Sequence, residues 1–436
     1  MNLIVQEQTR DRYARTTFAT IGEKSIVTPS YFTLIQDAYE LDLLMDLESQ
    51  CHPSRLGGII VRIFDAKKAL ERIQMQVPRD IFGRIREDKY SLFMKKHALL
   101  VDPSLEYLYY EVKMGRFILD PQTPKDIVDY INALEQEKTK QENKRKYNQA
   151  KEKLHQEFWK NIAKDNRKEV EFIKGTLERQ WRFGVDVTVP PVPLITSRDM
   201  LSVAIEINDK SRELSRIGKK PCATYFLLKN SLVRDHILLE DIKEYITGNS
   251  SQNLTIFKFK YLDLTRPKLI TERENYGRVM LDLSYFSQVF PNRACMILEN
   301  YYQSFISPVA GFDLVSTSFT AQDGGEISFS EHPSYGQYLD PKLLVHRNFD
   351  EMVDVYVNSH RRLPCSCIPC KSITVKDLRD MSPNDWNILR RKHTVALMDR
   401  WMGYIAQAVE KKNIELIADR LANSKISILK DSLPKI

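Results

Sequence analysis

No stretch of the chain approaches the roughly 18 consecutive apolar residues that a spanning helix needs. The opening residues MNLIVQEQTR lack the basic-then-apolar order of a secretory signal. Internal repeats are absent. Cysteine is scarce: of 6 in 436 residues, Cys365, Cys367 and Cys370 lie together while Cys51, Cys222 and Cys295 are scattered. That distribution argues against a disulfide framework and points to metal. Charge of one sign is also in short supply, since a net +7 fits a polyanionic partner without demanding one. A cytoplasmic protein that does not enter the membrane is expected.

What is present is an ordinary globular balance, with 42% hydrophobic and 28% charged residues, which sets aside disordered and fibrous classes. The length suits one large barrel of about 250 residues with appended elements, or two to three ordinary domains. Short apolar runs rich in β-branched residues recur at 58–63, 98–101, 223–228, 254–261, 294–298 and 312–317. Amphipathic stretches lie between them, such as Ile237 to Ile246, which opens after Asp235 and ends near Gly248. Strand, helix, strand at this spacing predicts parallel α/β architecture, either a barrel or an open sheet.

Residues 124–182 break the rhythm, with no Gly or Pro from Lys125 until Gly175. Between Glu135 and Lys168 there are 11 Lys and Arg against 6 Asp and Glu, with Tyr147, Phe158 and Trp159 interleaved. The segment reads as a long helix or helical hairpin. A solvated, coiled-coil-like insertion is the plainer expectation, and a basic arm that clamps phosphates the sharper one.

The sharpest local signal is Cys365-Ser-Cys367-Ile-Pro-Cys370, followed 23 residues later by His393. Three thiolates and an imidazole would complete a tetrahedral Zn²⁺ shell with no place left for water, the mark of a structural site. His393 is expected in the first turn of a helix running through Trp401 and Ile405. His360 is a substitute ligand, but a loop-closing ligand on a helix stabilises the fold more than a near neighbour in sequence.

This arrangement resembles the zinc subdomain of the tRNA-guanine transglycosylase superfamily. Other segments are similar to that family as well: Val27-Thr-Pro-Ser-Tyr-Phe32, the strand Met94 to Asp102, and Ala310-Gly-Phe-Asp313-Leu. The resemblance implies a TIM (β/α)8 barrel with an inserted helical segment and a C-terminal zinc-binding subdomain. The divisions would be 1–123 and 183–350 for the barrel, 124–182 for the insertion and 351–436 for the zinc-binding subdomain and final helices. It implies a pentosyltransferase exchanging guanine for a 7-deazaguanine, with Asp102 as acid/base. The family's nucleophilic aspartate position is occupied here by Ser316, and the motif's remaining carboxylate is Asp313. Residues three apart on a strand face opposite sides, so Asp313 takes the nucleophile's place only if a bulge or register shift turns it inward. Glu299 and Asp323 are further candidates.

Tyr107 and Tyr109 are candidate walls for a flipped nucleotide, and Asn230 or Lys229 stands where the family carries a base-reading Gln-Gly pair. The rebuilt base pocket and the inserted basic segment look more like the branch that inserts 7-cyano-7-deazaguanine into DNA. Competing readings are a tRNA enzyme, and a catalytically silent paralogue that binds nucleic acid as a partner subunit. Homodimerisation near the zinc subdomain, or association with other proteins of a DNA-modification system, is expected from the resemblance.

Overall fold

The computed structural model describes residues 4–35, 38–61, 87–105, 112, 123–140, 144–229, 235–248, 253–260, 279–285, 288–298, 303–318, 338–340, 345–347, 367–374, 377 and 380–423. It begins with an antiparallel sheet of β1 (Ile4–Asp11), β2 (Ala14–Ile21) and β3 (Lys24–Val27). Eight strands then form one parallel sheet: β4 (Ser30–Ile35), β5 (Leu56–Val61), β6 (Ala98–Val101), β7 (Leu194–Ile195), β8 (Thr224–Lys229), β9 (Leu254–Lys260), β10 (Ala294–Leu298) and β11 (Leu314–Ser318). Their order is β6-β5-β4-β11-β10-β9-β8-β7. The parallel α/β expectation is met. A short pair, β12 (Tyr338–Asp340) and β13 (Val345–Arg347), is antiparallel.

The sheet curls. Asp186 donates its amide to the Leu99 carbonyl of β6 (3.1 Å), and its carboxylate accepts the Leu99 amide (2.8 Å). Two residues on, Thr188 donates to Pro221 O and accepts from the Ala223 amide, which leads into β8. One short extended segment is thus bonded to strands near opposite ends of the sheet order. The strands are apolar on both faces, as a parallel sheet covered by helices requires: every residue of β4, β5, β6 and β10 is buried.

Helices α1 (Ala38–Cys51), α2 (Glu87–Lys96), α3 (Lys125–Lys140), α4 (Lys144–Ala163), α5 (Asn166–Phe183), α6 (Arg198–Ile217) and α7 (His236–Gly248) fall between successive strands. Helix α6 starts where Ser197 Oγ accepts the Met200 amide, a conventional N-cap. Its buried positions Leu201, Ala204, Ile207, Asn208 and Ser211 follow the helical period. Asn208 reaches from it to both the amide and the carbonyl of Tyr225, at 2.9 Å each, fixing α6 against β8.

Residues 124–182 are helical, as expected, but differ from the long helix or hairpin and from the solvated insertion that were expected. They form three helices, α3 to α5, whose inner faces bury Ile127, Tyr130, Ile131, Leu134, Trp159, Ile173 and Leu177. His155 Nε2 accepts the Leu194 amide of β7 at 3.0 Å, and Gln180 pairs with both backbone groups of Val189. High charge content conceals an apolar stripe that needs few residues per turn; Lys125, Lys138, Lys140, Lys146, Lys153, Lys160, Lys164 and Lys174 are exposed, whereas Lys151 is buried.

After a short α8 (Gln303–Ile306) and α9 (Ile368–Lys371), the long α10 (Pro383–Glu410) packs against β1, β2, β4 and α1. Its start is set by Pro383 and by Ser382, whose hydroxyl accepts the Asp385 amide. Trp401 is buried and donates to Phe305 O at 3.1 Å. Helix α11 (Glu415–Ala422) follows. Among the described residues, no helix is long and apolar enough to cross a membrane.

Candidate functional site

Neighbouring side chains along a strand alternate between faces, and two sets of contacts identify which face is which. Phe226 and Phe257 stack at 5.8 Å, and Phe226 meets Tyr245 of α7, so these residues face the helices. Their neighbours Tyr225 and Lys258 point the other way and reach Asp102, which follows β6. Strands β6 and β9 are far apart in the sheet order, so this contact makes their shared face the concave one.

Asp102 is therefore the centre of a buried cluster just beyond the C-terminal end of β6. Its Oδ1 accepts from the Ser104 amide (3.2 Å), the Ser104 hydroxyl and the Tyr225 hydroxyl (3.2 Å). Its Oδ2 accepts from the Lys258 ammonium, and the two side chains are only 1% and 6% exposed. Ser104 Oγ and Tyr225 Oη are 2.9 Å apart. Ser104 is placed by an Asx-type turn, in which an aspartate carboxylate accepts the amide two residues on. A buried ion pair of this kind contributes little net stability, because desolvation offsets attraction, but losing one partner is costly.

Lys258 was not singled out from the sequence, and neither were Tyr225 and Ser104. The available signal was Ile256-Phe257-Lys258-Phe259-Lys260, where lysine recurs with period two in a strand otherwise built for burial. Lys229, at the end of β8, is paired in register with Lys260 and holds Glu152 of α4 at 2.6 and 2.7 Å.

Asp313 lies elsewhere. It immediately precedes β11, so in a parallel sheet it sits at the N-terminal end of the strands, opposite Asp102. Arg15 of β2 grips it with Nε to Oδ1 at 2.8 Å and an η-nitrogen to Oδ2 at 2.9 Å, and the Cys295 amide adds 2.8 Å to Oδ2. Burial works against the charge on Arg15, yet Asp313 and Glu7 more than offset it and the guanidinium pKa is raised. The structure does not bring Asp102 and Asp313 together. The strand register shows no bulge at β11 that would turn Asp313 inward, and its carboxylate ties the N-terminal sheet to the parallel one.

Ser316 is central in β11, buried, and in register with Leu298 and Phe32. Leu298 is in turn paired with Lys258. Lys258, Leu298 and Ser316 thus share a level and a face. Tyr107, Tyr109, Asn230, Glu299, Asp323, His360 and Cys365 lie outside the described residues.

The second cluster joins α9 to α10. His393 Nδ1 lies 3.5 Å from Cys367 Sγ and 3.3 Å from Cys370 Sγ, and all three residues are buried. His393 is not in the first turn: α10 begins at Pro383, so the ring leaves from well inside the helix. Metal–sulfur and metal–nitrogen bonds of about 2.3 and 2.0 Å at tetrahedral angles separate their donor atoms by about 3.5 Å. The observed spacing fits that shell, and the cluster could hold a metal ion. No protein-family model matches this chain, and no curated protein matches it.

Proposed function

We propose that the curled parallel sheet is a (β/α)8 barrel and that the chain is a guanine transglycosylase acting on DNA, exchanging guanine for 7-cyano-7-deazaguanine. The observation that carries this reading is the position of Asp102. It is the aspartate singled out by the family resemblance, and it lies on the concave face at the C-terminal end of the strands, where barrel enzymes assemble their chemistry.

The reaction requires a departing guanine to gain a proton and an incoming base to lose one. A buried carboxylate bonded to a tyrosine hydroxyl and a lysine ammonium can relay such a proton without admitting water. It also requires C1′ to be held while bases exchange, through an oxocarbenium-like transition state. Asp313 is not assigned that role, because it serves the opposite end of the sheet. Cys367, Cys370 and His393 are assigned to zinc, with Cys365 as the fourth ligand. Four protein ligands leave no open position, so the metal's contribution is structural.

The test is incorporation of labelled guanine or 7-cyano-7-deazaguanine into DNA and, separately, tRNA, by the wild type and by Asp102→Ala. Label entering DNA, and lost in Asp102→Ala, is the expected result. Label entering tRNA alone overturns the substrate assignment. A folded, metal-loaded protein that labels neither polymer overturns the enzyme reading and favours the silent paralogue that Ser316 suggests.

A further inference from the structure

Among the described residues the transglycosylase reading leaves one role unfilled, since the residue at the family's nucleophile position is Ser316 and Asp313 is committed to Arg15, while Glu299 and Asp323 lie outside them. We propose that Lys258 is the nucleophile, its amine bonding to C1′ of the target deoxyguanosine so that the intermediate is a Schiff base rather than a glycosyl ester. The inference rests on the proposed base exchange and names the group that makes it covalent.

Three observations converge on Lys258. The first is place: through Leu298 it is in register with Ser316, on the same concave face, two strands away. Adjacent strands lie about 4.8 Å apart, so β9 and β11 are separated by roughly 10 Å, and the Lys258 side chain extends into the concave space between them and Asp102. The second is chemistry. A lysine amine is a nucleophile that an arginine guanidinium cannot replace, and its ammonium here lies against the Asp102 carboxylate, the group positioned to accept its proton in the reaction. The third is cost: β9 is otherwise apolar on this face over Leu254 and Ile256, and a buried lysine there gives no net stability over an apolar residue of similar size.

The step balances. Lys258 gives a proton to Asp102, and the neutral amine attacks C1′. The C1′–N9 bond breaks with its electron pair leaving on the base, and protonated Asp102 returns its proton to that base. The resulting N-substituted ammonium passes one N–H proton through Asp102 to the ring oxygen as the C1′–O4′ bond opens. The products are a protonated imine and a 4′-hydroxyl. The same steps in reverse, with the incoming base as nucleophile, restore the amine and the nucleoside.

The experiment uses the full chain with end-labelled DNA and free guanine, with and without sodium cyanoborohydride, which delivers hydride to an imine carbon. The expected result is a protein–DNA adduct that survives denaturation, requires the reductant, and maps by peptide mass to Lys258. Lys258→Arg keeps a cation opposite Asp102 but cannot form the imine. It should lose the adduct and at least 100-fold of exchange while its unfolding midpoint stays near that of the wild type. No reductant-dependent adduct, an adduct on another residue, or exchange surviving in Lys258→Arg overturns the proposal. Exchange measured in parallel without reductant separates the two ideas. Exchange with no adduct removes Lys258 and leaves the transglycosylase reading, whereas neither exchange nor adduct removes both.

Discussion

The two ends of the parallel sheet each carry a buried carboxylate paired with a cation, and the pairs are built differently. At the N-terminal end, Asp313 is held by the two-pronged guanidinium of Arg15, which also donates to the Pro291 and Arg293 carbonyls and to Glu7. At the C-terminal end, Asp102 meets the point charge of Lys258 and two hydroxyls. Arginine stays charged under all ordinary conditions and its planar fork fixes a carboxylate's orientation; lysine holds its proton loosely when buried. The first pair is suited to fastening one sheet to another. The second, whose carboxylate also meets two hydroxyls, is the one proposed to relay a proton. Two aspartates that both stand as catalytic candidates in sequence are therefore set apart by the cation each one meets.

The largest effect that would break this comparison is in stability. Asp313→Asn leaves a buried guanidinium with the partly exposed Glu7 as its one remaining carboxylate partner and should cost about 3–5 kcal/mol. Asp102→Asn should cost less, because the Ser104 and Tyr225 hydroxyls can accept from a carboxamide nitrogen, whereas the Arg15 and Cys295 N–H groups that meet Asp313 can only donate. Urea unfolding of the two variants tests the contrast, and equal losses would mean that both pairs are fasteners. Base exchange should order them the other way, with Asp102→Asn inactive and the folded fraction of Asp313→Asn retaining its turnover.

A smaller effect should follow from the metal. Helix α10 carries His393 and packs on β1, β2 and β4 near the N-terminal end of the sheet, where Asp399 also accepts the Arg55 amide at 2.6 Å. Elemental analysis should find one zinc per chain. Stripping it, or Cys370→Ser, should lower stability by roughly 1–3 kcal/mol, as expected of a substitution that removes a structural ligand. Hydrogen exchange should rise in α10, β1 and β2 before the strand ends around Asp102 respond. Unchanged protection in α10 would show that the cluster holds no structural ion.

The smallest effect concerns pH, again at the N-terminal end. His97 precedes β6, is buried, and has Nδ1 3.0 Å from Leu56 O; burial pushes its pKa below the ordinary 6.5, only partly opposed by that bond and by Glu48. The folded state therefore disfavours the imidazolium. Its contribution to stability is complete above the unfolded value and is lost as pH falls through the lowered folded value. Unfolding midpoints measured downward from pH 7.5 should fall less steeply in His97→Gln than in the wild type. An identical slope would assign the acid sensitivity to other groups.

Much of the architecture was legible in sequence because burial on two faces leaves a plain mark. The runs at 98–101 and 294–298 coincide with β6 and β10, and 254–261 ends one residue beyond β9. Strand β7 escaped notice, since two residues carry no period, and β1 to β3 alternate too weakly to announce an antiparallel sheet. The three-helix run was misjudged because its lysines dominate composition while Trp159 and Ile131 decide its packing. In the metal cluster the ligand types and spacing were readable, but the helix start was not. Pro383 and Ser382 open α10 well before His393, ahead of the apolar pattern that marked it.

Sequence alone determined the alternation of strand and helix, the grouping of Cys367, Cys370 and His393 and the candidacy of Asp102, because each depends on residue type and short spacing. Tertiary structure decided the rest. Which carboxylate meets a lysine and which an arginine depends on contacts such as Asp102 with Lys258 and Arg15 with Asp313. These partners are separated by 156 and 298 positions, and only a curled sheet and its packed N-terminal strands bring them within hydrogen-bonding reach.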